Sequence, residues 1–338
     1  MQNIYIGALM NEYVIGIDIG ATKSHLALFD TEANLIDLAH WGPLNHEMMP
    51  GSFKQFEEEF GSFVSSVINK NKITMEQVAF SVLGVAGVDT KLQHRIISEI
   101  LRKLKFGQFI LANDAYLGIP AGNPKGSGIC AISGSGCTLA GINKEGKMLQ
   151  IGGVGYLSSD KGGAYYIGRM LLSAVYSELF RKEKATLMTE LIFKEIGIVS
   201  KYDYVEILSE KIAEKTFNAG SCNRLAFKAA TAGDEVAIGI LRDVAANYAG
   251  GIKCMIEELQ FPKEDDIYIV FAGSVFVKEE HPILINMLKE MVSGSNPAYK
   301  FAYVKLSVPN VAGAVIWAFN SLNRSGFYDK VCSQMTID

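Results

Sequence analysis

The sequence predicts an α/β protein made of two related halves with a cleft between them. In each half an apolar strand enters a short glycine turn and a second apolar strand follows at once, around residues 15–29 and again around residues 128–142. Glycines allow such a turn to be tight and allow a ligand to approach the backbone. Because the same strand–turn–strand design occurs twice, we infer a duplicated domain in which helices pack on a mixed sheet.

Hydrophobic patterns along the first half predict strands that alternate with helices. Short apolar runs bounded by turn residues are typical of buried strands. Ile96, Ile97 and Ile100 instead lie on one stripe at helical spacing, so that segment is predicted to be an amphipathic helix. The predicted strands cover residues 13–17, 25–29, 35–39, 78–85 and 109–112, and the predicted helices cover residues 52–68 and 90–104.

The second half repeats this pattern and adds a long helical region. Residues 162–258 are predicted to be mostly helical, with breaks near Gly197 and at residues 218–223. Prolines and glycines cluster at residues 119–126, which is typical of a boundary between domains. We therefore expect one domain over residues 1–118 and a second over residues 119–321. The predicted strands of this half cover residues 128–132, 138–142, 268–272 and 301–306, and helices are predicted to begin near Pro282 and at Asn310.

Size and charge limit the classes of function. The chain has 338 residues, of which 49% are hydrophobic and 20% are charged, and its formal net charge is −4. This balance argues against a sequence-independent nucleic-acid binder, which would carry a basic face. Because no apolar run approaches the ~20 residues that a membrane span needs, we expect a globular protein with small-molecule partners and without nucleic-acid or membrane partners.

The first residues and the cysteines indicate a cytoplasmic protein. The chain does not begin with a basic segment followed by an apolar core, so we expect no signal peptide, and Met10 is a second candidate start. The five cysteines are scattered and never form a C-x-x-C pair, which argues against metal or iron–sulfur ligation. They are expected to be reduced residues of a cytosolic core.

The first glycine turn, within residues 18–24, has the chemistry of a phosphate site. Gly20 permits a sharp turn, and Thr22 and Lys23 offer a hydroxyl, an ammonium group and backbone N–H groups to an anion. Asp18, at the end of the strand, can hold Mg²⁺ through a water molecule. A phosphate-binding turn beside such a carboxylate predicts a nucleotide site, although a glycine hairpin with one exposed aspartate would contain the same residues.

Two later turns have similar chemistry. Gly134, Ser135 and Gly136 can present several backbone N–H groups and a hydroxyl to one phosphate. At Gly273 and Ser274 a buried strand ends in bare backbone, where a flat ring or a ribose can approach. Each of these turns could also serve only to connect two elements.

Three segments suit a ligand with many hydroxyl groups. Asp114 follows an apolar strand and could accept the proton of a sugar hydroxyl during phosphoryl transfer. It could also cap a helix, and different oxygens could serve both roles. Asn45 and His46 lie in a loop before the first long helix, and an asparagine side chain can both donate to and accept from a hydroxyl. The glycine-rich residues 152–168 place bare backbone beside Asp160.

Taken together, these segments resemble the N-acetylglucosamine kinase family, which is related to the BadF/BadG/BcrA/BcrD-type ATPases within the sugar kinase, Hsp70 and actin superfamily. The resemblance extends over residues 13–320 and includes the closing helix at residues 308–314. It implies two ribonuclease H-like, actin-like ATPase domains, the first completed by residues 322–338 and the second carrying a helical insertion. It assigns Asp114 as catalytic base, Thr22 and Ser135 as phosphate contacts, residues 272–276 as the adenosine segment, and Asn45, Gly153, Val154, Gly155 and Asp160 as sugar contacts.

Two departures from the family pattern concern the sugar. The family usually has Trp at the position of Val154, and it has Gly-Asp-Glu-Gly-Ser where this chain has Ser-Asp-Lys-Gly-Gly at residues 159–163. Because valine is much smaller than tryptophan, the pocket could admit a bulkier substituent. The departures therefore leave open which amino sugar is bound, and they do not affect phosphoryl transfer.

The resemblance implies ATP-dependent phosphorylation of an amino sugar with Mg²⁺, chiefly of N-acetylglucosamine to its 6-phosphate, by a protein that is expected to form a homodimer. N-acetylmuramic acid and glucosamine are alternative substrates. Two alternatives come from other classes, namely an ATPase that activates a partner protein and a sugar-sensing regulator without catalysis. The chain has neither the cysteines of an activator's iron–sulfur cluster nor the zinc-binding Cys/His cluster of the ROK sugar kinases.

Overall fold

A computed structural model describes residues 12–278 and 282–336 of the chain. The candidate start at Met10 lies outside the described residues. The chain divides into two compact units, which we call the first unit (Met1–Ser127 with Leu306–Asp338) and the second unit (Gly128–Lys305). Each unit contains one five-stranded mixed sheet with helices, so the predicted α/β class is confirmed.

The sheet of the first unit has the order β3-β2-β1-β4-β5. Strands β1 to β3 are antiparallel neighbours, whereas β4 and β5 join them in parallel. Parallel neighbours need a crossover connection, and the amphipathic helices α1 and α2 belong to these connections. The bounds are β1 Tyr13–Ile19, β2 Ser24–Asp30, β3 Leu35–Trp41, α1 Ser52–Lys70, β4 Val78–Val85, α2 Lys91–Lys103, β5 Phe109–Ala112 and α3 Gly118–Gly122.

The C-terminal helices complete the first unit by packing on its sheet. These are α11 (Asn310–Ser321) and α12 (Tyr328–Gln334). Gly16 of β1 lies so close to α11 that an added Cβ would be 2.6 Å from Val315 Cγ2, and one added to Gly313 would be 1.9 Å from the Leu117 carbonyl oxygen. The helices α3 and α11 pack together, and both belong to the first unit.

The second unit repeats the topology of the first. Its sheet has the order β10-β9-β6-β7-β8, in which β6 to β8 are antiparallel and β9 and β10 add in parallel, as β1 to β5 do. The predicted duplication is therefore confirmed by strand order and direction. The strands are β6 Gly128–Ser133, β7 Cys137–Ile142, β8 Met148–Gly152, β9 Asp266–Ala272 and β10 Lys300–Lys305. The sequence did not predict β8, a half-buried edge strand of five residues without clear alternation.

A helical insertion follows β8, as expected. It breaks at Gly197, which ends α5 with φ +77°, and at the 3₁₀ turn Ala219–Cys222, both near the predicted positions. Among the described residues no helix has the length and apolar character that crossing a membrane requires. The remaining helices are α4 Gly163–Arg181, α5 Leu187–Ile196, α6 Tyr204–Ala213, α7 Asn223–Thr231, α8 Glu235–Glu258, α9 Ser274–Val277 and α10 Ile283–Ser295.

Candidate active site

The first glycine turn connects β1 to β2 and leaves its functional groups accessible. The Gly20 N–H donates to the Lys23 carbonyl at 3.0 Å, and Thr22 and Lys23 are exposed. A Cβ on Gly20 would lie 3.0 Å from the same carbonyl oxygen, so the close approach of the backbone favours glycine here. The turn can therefore present a hydroxyl, an ammonium group and N–H groups to an anion.

Asp18 lies at the end of β1, opposite His25 in the β1–β2 ladder. Its carboxylate is 3.8 Å from His25 Nδ1, a distance too long for a hydrogen bond. Among the described residues there is no cluster of three or more His, Cys, Asp or Glu side chains that could hold a metal directly. The Asp18 carboxylate repels the Asp114 carboxylate, which contributes to the raised pKa of Asp114. A cation beside the two carboxylates would relieve this repulsion. The Asp18 carboxylate is therefore a group that could hold Mg²⁺ through a water molecule.

Asp114 begins the 3₁₀ turn Asp114–Leu117, directly after β5. The helix-cap interpretation of Asp114 is wrong, because the Asn113 side chain is the N-cap and accepts from the Ala115 N–H at 2.9 Å. Burial, with repulsion from Asp18 and Asp89 in addition, raises the pKa of Asp114 to about 7. A carboxyl group that gains and loses its proton near neutral pH is suited to general base catalysis.

The segment at the end of β4 contacts both the turn of Asp114 and the loop of Asn45 and His46. A Cβ on Gly84 would lie 3.0 Å from the Asp114 Cα, and one on Gly87 would lie 3.0 Å from both Asn45 Oδ1 and His46 Cε1. Gly87 also has φ +84°, a conformation that favours glycine. Residues 84–87 thus contact two segments that are distant in sequence, the turn of Asp114 and the loop of Asn45 and His46.

His46 is buried, and its ring stacks on Phe53 with centroids 4.4 Å apart. Among the residues that the structure describes, neither ring nitrogen has a hydrogen-bond partner. Burial lowers the pKa of His46, against an opposing effect of Glu47 and Asp89. A buried polar group without a partner costs free energy unless a ligand supplies one, so the imidazole is a candidate ligand contact.

Sequence reasoning missed Asp89, which lies just beyond β4. Its Oδ1 accepts from the Asn113 side-chain amide at 3.0 Å, so it contacts the cap of the turn that carries Asp114. The capping box formed by Thr90 and Gln93 begins α2 immediately afterwards. The available signal was an aspartate after a Gly-Val pair at a strand end, which resembles an ordinary helix start.

The second glycine turn, between β6 and β7, is held by the first residues of α4. The carbonyls of Gly134 and Ser135 accept from the N–H groups of Ala164 and Tyr165 at 2.8 and 3.2 Å. A Cβ on Gly134 or Gly136 would meet nothing within 4 Å, so the outer side of the turn is open. The open side leaves room for a phosphate at the predicted residues.

The predicted adenosine turn lies directly against the second glycine turn. Gly273 has φ +86°, and a Cβ there would lie 2.4 Å from the Ser133 carbonyl oxygen and 2.9 Å from the Gly134 nitrogen. Ser274 follows as the first residue of α9. The structure thus brings together the phosphate and adenosine candidates of the second unit.

Asp160 organises the glycine-rich segment between β8 and α4. Its Oδ2 accepts from the N–H groups of Gly153 and Gly155 at 3.0 and 2.9 Å, and its Oδ1 accepts from Ser158 Oγ at 2.6 Å. A carboxylate has about four acceptor sites, so capacity for a ligand hydroxyl remains. Val154 is 46% exposed. A cavity of about 360 Å³ adjoins the segment, and its lining includes Thr138, Ser158, Asp160 and Asn247.

The two sheets of identical strand order define the actin-like ATPase fold. A crystal structure from Chromobacterium violaceum, provisionally named an N-acetylglucosamine kinase, shares this fold with a TM-score of 0.62 and 16% identity, over 91% of this chain and 99% of that one. Residues 15–318 match the model of the BadF/BadG/BcrA/BcrD ATPase family. The chain belongs to this family, and ATP is the nucleotide that its fold accommodates.

Two relatives carry names that specify an activity. An N-acetylmuramic acid/N-acetylglucosamine kinase of Clostridium acetobutylicum is 25% identical over 308 residues, which are 91% of this chain and 98% of the relative. An N-acetyl-D-glucosamine kinase of Dictyostelium discoideum is 26% identical over 325 residues, which are 93% of this chain and 99% of the relative. Both similarities extend over nearly the whole of each chain.

Proposed function

We propose that the protein is an ATP-dependent amino-sugar kinase that converts N-acetylglucosamine to N-acetylglucosamine 6-phosphate. The observation that carries this proposal is Asp114, a carboxyl group with a pKa of about 7 in a chain of an ATPase family. Like the loop of Asn45 and His46, its turn contacts residues 84–87. The names of the two relatives support the choice of an amino sugar.

In the proposed mechanism Asp114 accepts the proton of the primary hydroxyl of the sugar. The hydroxyl oxygen attacks the γ-phosphorus of ATP in line, the bond from that phosphorus to the bridging oxygen breaks, and ADP leaves. Asp114 releases its proton to solvent after transfer. Asn45, His46, Gly153, Val154, Gly155 and Asp160 are the proposed sugar contacts.

The nucleotide contacts follow from the three glycine turns. We assign the phosphates to Gly20, Thr22 and Lys23 of the first unit and to Gly134, Ser135 and Gly136 of the second, and the adenosine to Gly273 and Ser274. Open backbone at Gly134 and Gly136 and exposed groups at Thr22 and Lys23 support these assignments. Asp18 would hold Mg²⁺ through water, and the ion would neutralise the charge of the β- and γ-phosphates.

N-acetylmuramic acid is the second candidate substrate. Its lactyl group lies on O3 and needs space that N-acetylglucosamine does not occupy. The small, half-exposed side chain of Val154 and the name of the clostridial relative favour this candidate. The homodimer and the cytoplasmic location stay predictions.

A coupled ADP-release assay with Mg-ATP tests the proposal. The panel contains N-acetylglucosamine, N-acetylmuramic acid, glucosamine, N-acetylmannosamine and glucose. We expect ADP release with N-acetylglucosamine and, if the space near Val154 suffices, with N-acetylmuramic acid. ADP release that no sugar stimulates would contradict the proposal and would favour an ATPase that acts on a partner protein.

A further inference from the structure

Asp89 and Asn113 form a hydrogen-bonded pair beneath the proposed catalytic base. Asn113 Nδ2 donates to Asp89 Oδ1 at 3.0 Å, and Asn113 Oδ1 accepts from the Ala115 N–H at 2.9 Å. The single amide of Asn113 therefore links the loop after β4 to the turn that starts at Asp114. Asn113 is buried, so its orientation is fixed by these two bonds.

Hydrogen bonds of Gln93 connect the loop that carries Asp89 to helix α2 and to the loop of Glu47. The N–H groups of Asp89 and Thr90 donate to Gln93 Oε1 at 3.1 and 2.8 Å, which fixes the start of α2. Gln93 Nε2 donates to Glu47 Oε1 at 2.7 Å, and Glu47 follows the two proposed sugar contacts of its loop. Asp89 thus belongs to a network that fixes both the sugar loop and the turn of the base.

We propose that Asp89 is a positioning residue, which holds Asn113 and through it the turn that aims the Asp114 carboxylate at the substrate hydroxyl. This inference rests on the proposed function. Proton transfer requires the base within hydrogen-bond reach of the hydroxyl, and a misplacement of about 1 Å can reduce turnover roughly 10²-fold. Asp89 acts through another residue, so its loss is expected to affect turnover more than substrate binding.

A reciprocal exchange of the two side chains tests the pair without changing its size. Asn113→Asp keeps a good N-cap but places two carboxylates against each other. Asp89→Asn combined with Asn113→Asp restores one hydrogen bond with donor and acceptor exchanged, at the net charge of the wild type. Gln108→Glu, an exposed change directly before β5, is the control for the gain of one negative charge.

We expect Asn113→Asp to lower kcat by about 10- to 100-fold, with the KM values for sugar and ATP changed less than about threefold. The double substitution should recover at least half of that loss on a logarithmic scale, and Gln108→Glu should match the wild type. A double variant no more active than Asn113→Asp, or a loss confined to KM, would overturn the proposal.

A readout without substrate separates this proposal from the proposed function. The carboxyl ¹³C resonance of Asp114, assigned with Asp114→Asn, can be recorded in the free protein. We expect Asn113→Asp to shift this resonance and the double substitution to return it towards the wild-type position. A wild-type protein without sugar turnover would refute only the proposed function, whereas a resonance unaffected by Asn113→Asp would refute the role of Asp89.

Discussion

The two units share one sheet topology but differ in what they offer a ligand. The candidate residues of the first unit are mainly side chains, namely Asp18, Asn45, His46 and Asp114. Those of the second unit are mainly bare backbone, at Gly134, Gly136, Gly153, Gly155 and Gly273. A duplicated fold can therefore divide its work, with one copy supplying titratable groups and the other supplying N–H groups that approach a ligand closely.

The glycines of the two units are also required for different reasons. Gly20 in the first turn lies close to the Lys23 carbonyl and does not have a positive φ. A larger residue is therefore disfavoured there only by the lack of space. Gly273 in the second unit has φ +86° and contacts the backbone of the neighbouring turn. A larger residue is therefore disfavoured both by the backbone conformation and by the lack of space. We therefore expect substitutions of the functional side chains in the first unit to affect catalysis. Substitutions of glycines in the second unit should affect ligand binding and stability.

The largest effect is expected at Asp114 in the first unit. Asp114→Ala should lower kcat by at least about 10²-fold, because it removes the general base. Affinity for ATP, measured by calorimetry, should stay close to that of the wild type. Near-normal turnover in this variant would show that the first unit does not supply the base.

A large effect of another kind is expected at Gly273 in the second unit. Gly273→Ala should destabilise the protein by roughly 2 kcal/mol, because the methyl group meets backbone at a strained φ. Gly134→Ala is the matched control, since its methyl group meets nothing within 4 Å and should change stability by less than about 0.5 kcal/mol. Urea unfolding measures both. Equal losses would contradict the stated difference between these glycines.

A smaller effect is expected at His46. His46→Phe keeps the stacking on Phe53 and removes two unpaired ring nitrogens, so the free energy of unfolding should stay equal or rise. The KM for the sugar should rise by roughly 5- to 10-fold, which corresponds to one hydrogen bond. If stability fell while the KM for the sugar stayed unchanged, the ring would be a structural residue and not a ligand contact.

The smallest expected effect is the dependence of kcat/KM and of stability on pH. Asp114 must be ionised to act as a base, so kcat/KM should rise as the pH rises through about 7. The contribution of Asp114 to the free energy of unfolding changes in the opposite direction and falls as the pH rises. The raised pKa favours the folded protein while Asp114 is protonated, so this contribution is full below the unfolded pKa of about 4 and is lost as the pH rises through 7. Asp114→Asn should remove this part of the stability profile in thermal unfolding.

Much of the fold could be predicted because strand–turn–strand patterns are local. The two glycine turns and their flanking strands were found from apolar runs, and the breaks at Gly197 and residues 218–223 from composition. Strand β8 was missed, since a short half-buried edge strand has little hydrophobic signal. The sequence could name Asp114 but not its neighbour Asp89, because their relation depends on β4 and β5 lying side by side.

The raised pKa of Asp114 and the unpaired nitrogens of His46 were also beyond sequence reasoning. Both follow from burial, which depends on how distant segments pack. In contrast, the role of Asn113 as N-cap could have been inferred from its place one residue after a strand. The sequence therefore identifies which residues carry chemistry better than it identifies how their properties are tuned.

The most direct test of the central claim is transfer of labelled γ-phosphate from ATP to N-acetylglucosamine, with the position of the phosphate determined by NMR. We predict phosphate on O6 in the wild type and a loss of at least about 10²-fold in Asp114→Ala. Label that appears only as inorganic phosphate, or transfer that is unchanged in Asp114→Ala, would contradict the account.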